Sequence, residues 1–178
     1  MVSAIPTKPT FSAGERVSAA KMNTLSNHAD WVTDAPMIHL YLGSNTVLNT
    51  SGFVTWNNLL TSLSNFSVTL PATYITVPYT GIWEWKYQLS LSHSPASSNP
   101  ASATLYVGDA SSQGTRVAGD QMVRVGGGMT TFLACSAYVA MTAGTTAIRC
   151  FWQSSTTGMT AYGTSRATCL SGRLLQRL

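Results

Sequence analysis

The stretch Tyr74–Leu91, YITVPYTGIWEWKYQLSL, decides the fold. From Trp83 onward it alternates without a slip. Trp83, Trp85, Tyr87, Leu89 and Leu91 fall on one face, and Glu84, Lys86, Gln88 and Ser90 on the other, the period-two pattern of a half-buried strand. At about 150–250 Å2 for each aromatic side chain, two indoles and a phenol on one face bury enough apolar surface to floor a core. Pro78 and Gly81 punctuate the entry, since proline lacks the N–H that a ladder needs and glycine allows a tight turn.

Outward from this strand the same grammar continues. Upstream lie short apolar runs at Met37–Leu42, Thr46–Leu48, Phe53–Trp56 and Phe66–Leu70, separated by Gly43-Ser44-Asn45, Asn49-Thr50-Ser51-Gly52 and similar turn signals. Downstream come Ala103–Val107, Gln121–Val125, Thr130–Met141, Thr146–Gln153 and Ala167–Leu175. Between them stand Gly108-Asp109, Gly126-Gly127-Gly128 and Thr142-Ala143-Gly144-Thr145, with longer loops at His93–Ser102, Ala110–Gly119 and Ser154–Ser165. No helix-period segment interrupts the series. Roughly eight strands with hairpin turns and longer crossings describe an all-β, two-sheet antiparallel jelly-roll sandwich over residues 36–178.

The first 35 residues are different. Residues 1–17 read as an extended arm, because Pro6 and Pro9 forbid regular helix. Ser18 is an N-cap for the one short helix, with Val17 and Met22 at the spacing of a hydrophobic staple. Met22, Leu25, Ala29 and Val32 then recur at intervals of three, four and three until Asp34-Ala35-Pro36 stops the helix. So narrow a seam suits either a coiled-coil stripe or a helix docked on its own domain. The expected organisation is a docking and trimerisation segment over 1–35 and a β head over 36–178.

Composition narrows the class. Charged residues make up 9% of the 178, against about 25% in average domains, so the surface is short of solvating charge and suits packing against copies or within an assembly. Ten basic and six acidic residues give a net charge of +4, spread too thinly for a nucleic-acid partner. Cys135, Cys150 and Cys169 occupy three different expected strands with no Cys-x-x-Cys pair. They read as buried free thiols, with a disulfide between two of them the alternative. The N-terminus has no apolar core of a signal peptide and no run approaches the ~20 apolar residues that span a bilayer. A chain made in a cytosol, without membrane insertion, is expected.

Chemistry is sparse. Of the six acids, Glu15, Asp30 and Asp34 belong to the arm and helix, leaving Glu84, Asp109 and Asp120 for any carboxylate pair in the head. His28, His39 and His93 stand in a helix, a strand and a loop, and no His-Glu-x-x-His, Gly-x-Ser-x-Gly or phosphate-cradling loop occurs. No catalytic, metal or cofactor-binding residue is assigned, and no enzyme activity is expected.

Two resemblances add to this reading. Phe11-Ser12-Ala13-Gly14-Glu15-Arg16-Val17-Ser18-Ala19-Ala20-Lys21-Met22-Asn23 resembles an N-terminal signature of tailed-bacteriophage structural proteins, often minor tail or fibre proteins, of the form F-x-A-G-E-x-(V/L)-x-A-A-x-M-N. In the head, Tyr74–Trp83, Leu105-Tyr106-Val107-Gly108, Tyr138–Gly144 and Leu170-Ser171-Gly172-Arg173-Leu174-Leu175 are similar to the complement and tumour-necrosis-factor-like jelly-roll superfamily. Trp83, Thr145 and Leu170 depart from its usual Tyr, Asp and Phe while mostly keeping hydrophobicity.

The second resemblance implies a homotrimer in which aromatic and apolar strand faces meet around a threefold axis. Together the two imply a non-enzymatic virion protein, joined to other virion proteins through its arm. A tail-tip or fibre protein that attaches to the host surface is the expected role, with a capsid decoration or head-fibre protein, or a lectin-like carbohydrate-binding module, as alternatives. Under it, Met22, Leu25, Ala29 and Val32 form the trimer helix, Trp83, Trp85, Tyr87 and Leu89 the core strand, and Arg116 and Tyr162 anchor recognition loops. A host cell-surface glycan or protein is the further partner expected.

Overall fold

A computed structural model describes residues 9–33, 35–48, 51–63, 66–92, 99–124, 130–154, 159–163 and 166–178. The chain runs through α1 (Ala19–Thr33), β1 (Met37–Tyr41), β2 (Thr46–Leu48), β3 (Ser51–Phe53), β4 (Asn58–Leu63), β5 (Ile75–Thr76) and β6 (Gly81–Ser92). It continues through β7 (Asn99–Gly108), β8 (Thr115–Arg124), β9 (Thr130–Met141), β10 (Ala147–Ser154), β11 (Met159–Ala161) and β12 (Cys169–Arg177).

β6 organises the larger sheet. It pairs along its whole length with β9 on one side, and with β12 and then β11 on the other; β1 and β4 extend the sheet beyond β12, and β2 flanks β11. The second sheet has the order β3-β10-β7-β8, with β5 also on β10. The strand pairings are antiparallel. The fold is the two-sheet jelly roll, preceded by one short helix.

The core lies between the sheets. Trp83, Trp85, Tyr87, Leu89 and Leu91 are buried from β6, facing Ala103, Leu105, Ile148, Cys150 and Trp152 of the other sheet. Trp83 stacks on Trp85 at 6.0 Å and meets Phe66 edge-on at 5.4 Å, while Trp56 meets Tyr87 edge-on at 6.2 Å. Buried indole N–H groups need acceptors, and both have them: Trp83 donates to the Tyr79 carbonyl at 3.1 Å and Trp85 to the Met141 sulfur at 3.1 Å.

Several boundaries differ from the sequence reading. Twelve strands form among the described residues, rather than roughly eight. The run Phe66–Leu70 is not a strand; Phe66 plugs the core, and the pairing goes to Asn58–Leu63, whose adjacent leucines hide any alternation and leave Leu59 exposed at the sheet edge. β3 ends at Phe53, after which Val54 hydrogen-bonds to Cys150 and Trp56 bridges Ala72. β7 starts at Asn99 and β8 at Thr115, so both flanking loops are shorter than expected, and β11 breaks the expected 154–165 loop. Residues 126–128 and 93–98 lie outside the described residues. All three cysteines are free, Cys135 and Cys150 buried and Cys169 half-buried.

Candidate functional site

The outward face of the larger sheet is the first surface that asks for a partner. Along β9 the side chains of Phe132, Ala134, Ser136 and Tyr138 point away from the core, and Phe132 and Tyr138 are 56% and 70% exposed. The register sets them beside the polar face of β6, with Phe132 opposite Ser90, Ala134 opposite Gln88, Ser136 opposite Lys86 and Tyr138 opposite Glu84. Across β6, Ser171 and Cys169 of β12 complete a band of small side chains. The result is a shallow hollow of about 390 Å3 at Lys86, Gln88, Ala134, Ser136, Cys169 and Ser171.

Beside the hollow sits the main charge cluster of the face. Glu84 is only 7% exposed although it lies on the outer side, because Tyr138, Lys86 and Arg173 cover it. Arg173 donates to its carboxylate at 2.6 Å, Lys86 lies at 3.2 Å, and the Tyr138 hydroxyl donates at 3.4 Å. Burial pushes the Glu84 carboxyl up, but the hydrogen bonds and charges of Arg173 and Lys86 outweigh it and leave the group below its ordinary range.

The other two acids of the head are also engaged. Asp109 accepts from the backbone and hydroxyl of Ser111 and the backbone of Ser112, and these bonds lower its carboxyl to about 2. Asp120 of β8 accepts from Ala134 N–H at 3.0 Å, capping a donor on the side of β9 away from β6. No group of three or more metal-ligating side chains occurs among the described residues.

The helix seam is open where it is described. Met22 is 53% and Leu25 41% exposed, and Ala29 is exposed; the Val32 side chain lies outside the described residues. Val17, the expected staple partner of Met22, is itself 53% exposed. Ser18 accepts from Lys21 N–H at 3.3 Å as the N-cap, and Glu15 forms an ion pair with Lys21, whose ammonium also reaches the Thr10 carbonyl and the Phe11 ring. The arm is thereby tied to the first turn of the helix.

Arg116 and Tyr162 are not brought together. Arg116 lies inside β8, directly opposite Tyr106 on the smaller sheet, so it is a strand residue and not a loop anchor. Tyr162 follows β11, half-buried, with its backbone N–H donating to Ser90 of the larger sheet. The sequence reading missed Phe132 and Tyr138. In β9 both faces carry apolar residues, so alternation alone did not tell inside from outside. It also missed Arg149, 7% exposed, whose guanidinium donates to the carbonyls of Asp109, Ala110 and Ser112 and lies over the Phe53 and Tyr74 rings.

No protein-family model and no curated protein matches the chain. Solved structures do. The Eiger TNF of S. frugiperda superposes with a TM-score of 0.60 at 10% identity, covering 82% of this chain and 95% of that one. The globular domain of zebrafish complement 1qA gives 0.57 at 12% identity over 80% and 99% of the two chains, and murine APRIL 0.54 at 14% over 79% and 99%. At such identities the likeness is one of fold.

Proposed function

We propose that the protein is a non-enzymatic structural subunit of a tailed-phage particle. It is a homotrimer whose segment 1–35 docks it to other virion proteins and whose jelly-roll head, 36–178, projects to engage the host surface from a tail-tip or fibre position. The observation that carries the self-association is the exposed aromatic face of β9: a phenylalanine and a tyrosine more than half open to water beside a band of alanine, serine and cysteine. Such a patch on a chain with 9% charged residues is stabilised by a second copy. The open Met22 and Leu25 seam supports the same arrangement at the helix, and the resemblance of residues 11–23 to phage tail proteins supports the placement in a particle.

Light scattering on the purified chain tests the assembly. A mass three times the 19.0 kDa of one chain is expected at micromolar concentration, and a stable monomer contradicts the reading. Removing residues 1–35 is expected to leave a folded head that no longer enters particles; incorporation at normal occupancy would show that the anchor lies elsewhere.

A further inference from the structure

The outer face of the smaller sheet holds a depression that the self-association does not use. Its floor follows from the register. Thr104 of β7 stands between Phe151 of β10 and Gly119 of β8, and Ser102 stands between Gln153 and Gln121. The middle of the sheet therefore carries small side chains while its flanks carry long ones. Gly119 leaves room for the Arg116 guanidinium to lie across it, since a Cβ there would come within 2.3 Å of that side chain and push it aside. The cavity measures about 260 Å3.

The chemistry of the lining is specific. Tyr106 and Phe151 meet edge-to-face at 5.7 Å and give the cavity an aromatic wall. Gln121 and Gln153, both exposed, offer amide donors and acceptors from opposite sides of the floor. Arg116 is exposed and forms no ion pair among the described residues. No carboxylate lines the cavity, because Asp120 turns away to Ala134 and Asp109 is folded into its own turn.

We propose that this depression binds one sugar residue bearing a carboxylate, at the exposed end or branch of a cell-surface glycan. An aromatic wall serves the C–H face of a pyranose, paired amides serve its hydroxyls, and a planar guanidinium serves a carboxylate in a two-pronged contact. A neutral peptide would leave Arg116 without a counter-charge, and a phosphate alone would leave the aromatic wall idle. The proposal rests on the attachment reading above and gives it a ligand class.

The test uses the full chain and two probes, tri-galacturonate and neutral maltotriose, followed by saturation-transfer NMR and calorimetry. Tri-galacturonate is expected to bind at least about tenfold more tightly than maltotriose, the discrimination a charge-assisted pair supplies. Arg116→Gln should remove that preference, and Gln121→Ala should weaken binding of the acidic probe severalfold, with the thermal unfolding of both variants unchanged. Equal binding of both probes, no binding of either, or an Arg116→Gln protein that keeps its preference overturns the site. Particle adsorption separates the two levels. If particles lacking the head fail to adsorb while the chain ignores both sugars, attachment stands and the depression falls; if Arg116→Gln loses the sugar but adsorption is unchanged, the depression stands and the attachment role falls.

Discussion

Gly172 shows how one missing side chain sets the central packing. It lies directly opposite Trp85 in the ladder, and a Cβ there would sit 2.3 Å from the indole ring. Because Trp85 is fully buried between two sheets, the ring has nowhere to retreat. Gly172→Ala is expected to destabilise the head by about 1–3 kcal/mol, the usual cost of overpacking, measured by denaturant unfolding with an unchanged slope. Arg149 works in the opposite sense, by filling. Its three carbonyl acceptors close the 109–112 loop, yet that loop is itself exposed, so water replaces part of what is lost when the guanidinium goes. Arg149→Met, which keeps the stem over the rings of Phe53 and Tyr74, should therefore cost only about 1–3 kcal/mol. Faster amide exchange of residues 109–112, with the core unaffected, is the accompanying signature.

At the scale of elements, what was legible in the sequence depended on contrast between the two faces of each strand. β6 alternates indole and phenol against Glu, Lys and Gln, so its inward face was plain, and the fold class followed from it. β4, with Leu59 and Leu60 adjacent, and β9, with apolar residues on both faces, lack that contrast. There the register is fixed by neighbours far away in the chain, which local pattern does not contain. Arg116 was misassigned for a related reason: Gly114 and Gly119 suggest a continuous loop, but Gly119 is a strand residue whose bare backbone accommodates a guanidinium. α1 offers a prediction of its own. Fifteen residues are marginal as an isolated helix, so the helicity of α1 is expected to depend on its open seam meeting other copies. Met22→Glu with Leu25→Glu should lower the helical circular-dichroism signal while the unfolding of the β head stays as it was. An undiminished helix would mean that the seam needs no partner.

For the whole molecule the exposed face also makes stability depend on pH, in two windows that can be separated. His39 sits on the outer side of β1, opposite Ser171 and Thr61, and its Nε2 has no hydrogen-bond partner among the described residues. Burial, and then the like charge of Arg166, lower its pKa from the ordinary 6.5. The neutral ring is therefore favoured in the fold: its contribution is full above 6.5 and drains away as pH falls toward the lowered value, because the unfolded chain takes up the proton first. Glu84 is also lowered, from 4.5, so the stability it gives through Arg173 and Lys86 is present above 4.5 and is lost as pH falls through its folded value. Melting temperature recorded from pH 8 to 3 should thus decline in two stages. His39→Gln is expected to flatten the first stage alone, and Glu84→Gln to lower the neutral-pH value, since it leaves Arg173 and Lys86 without their shared carboxylate, and to shrink the second stage to the part that Asp109, lowered from 3.8 to about 2, still supplies. A single decline insensitive to both substitutions would place the acid sensitivity outside this face.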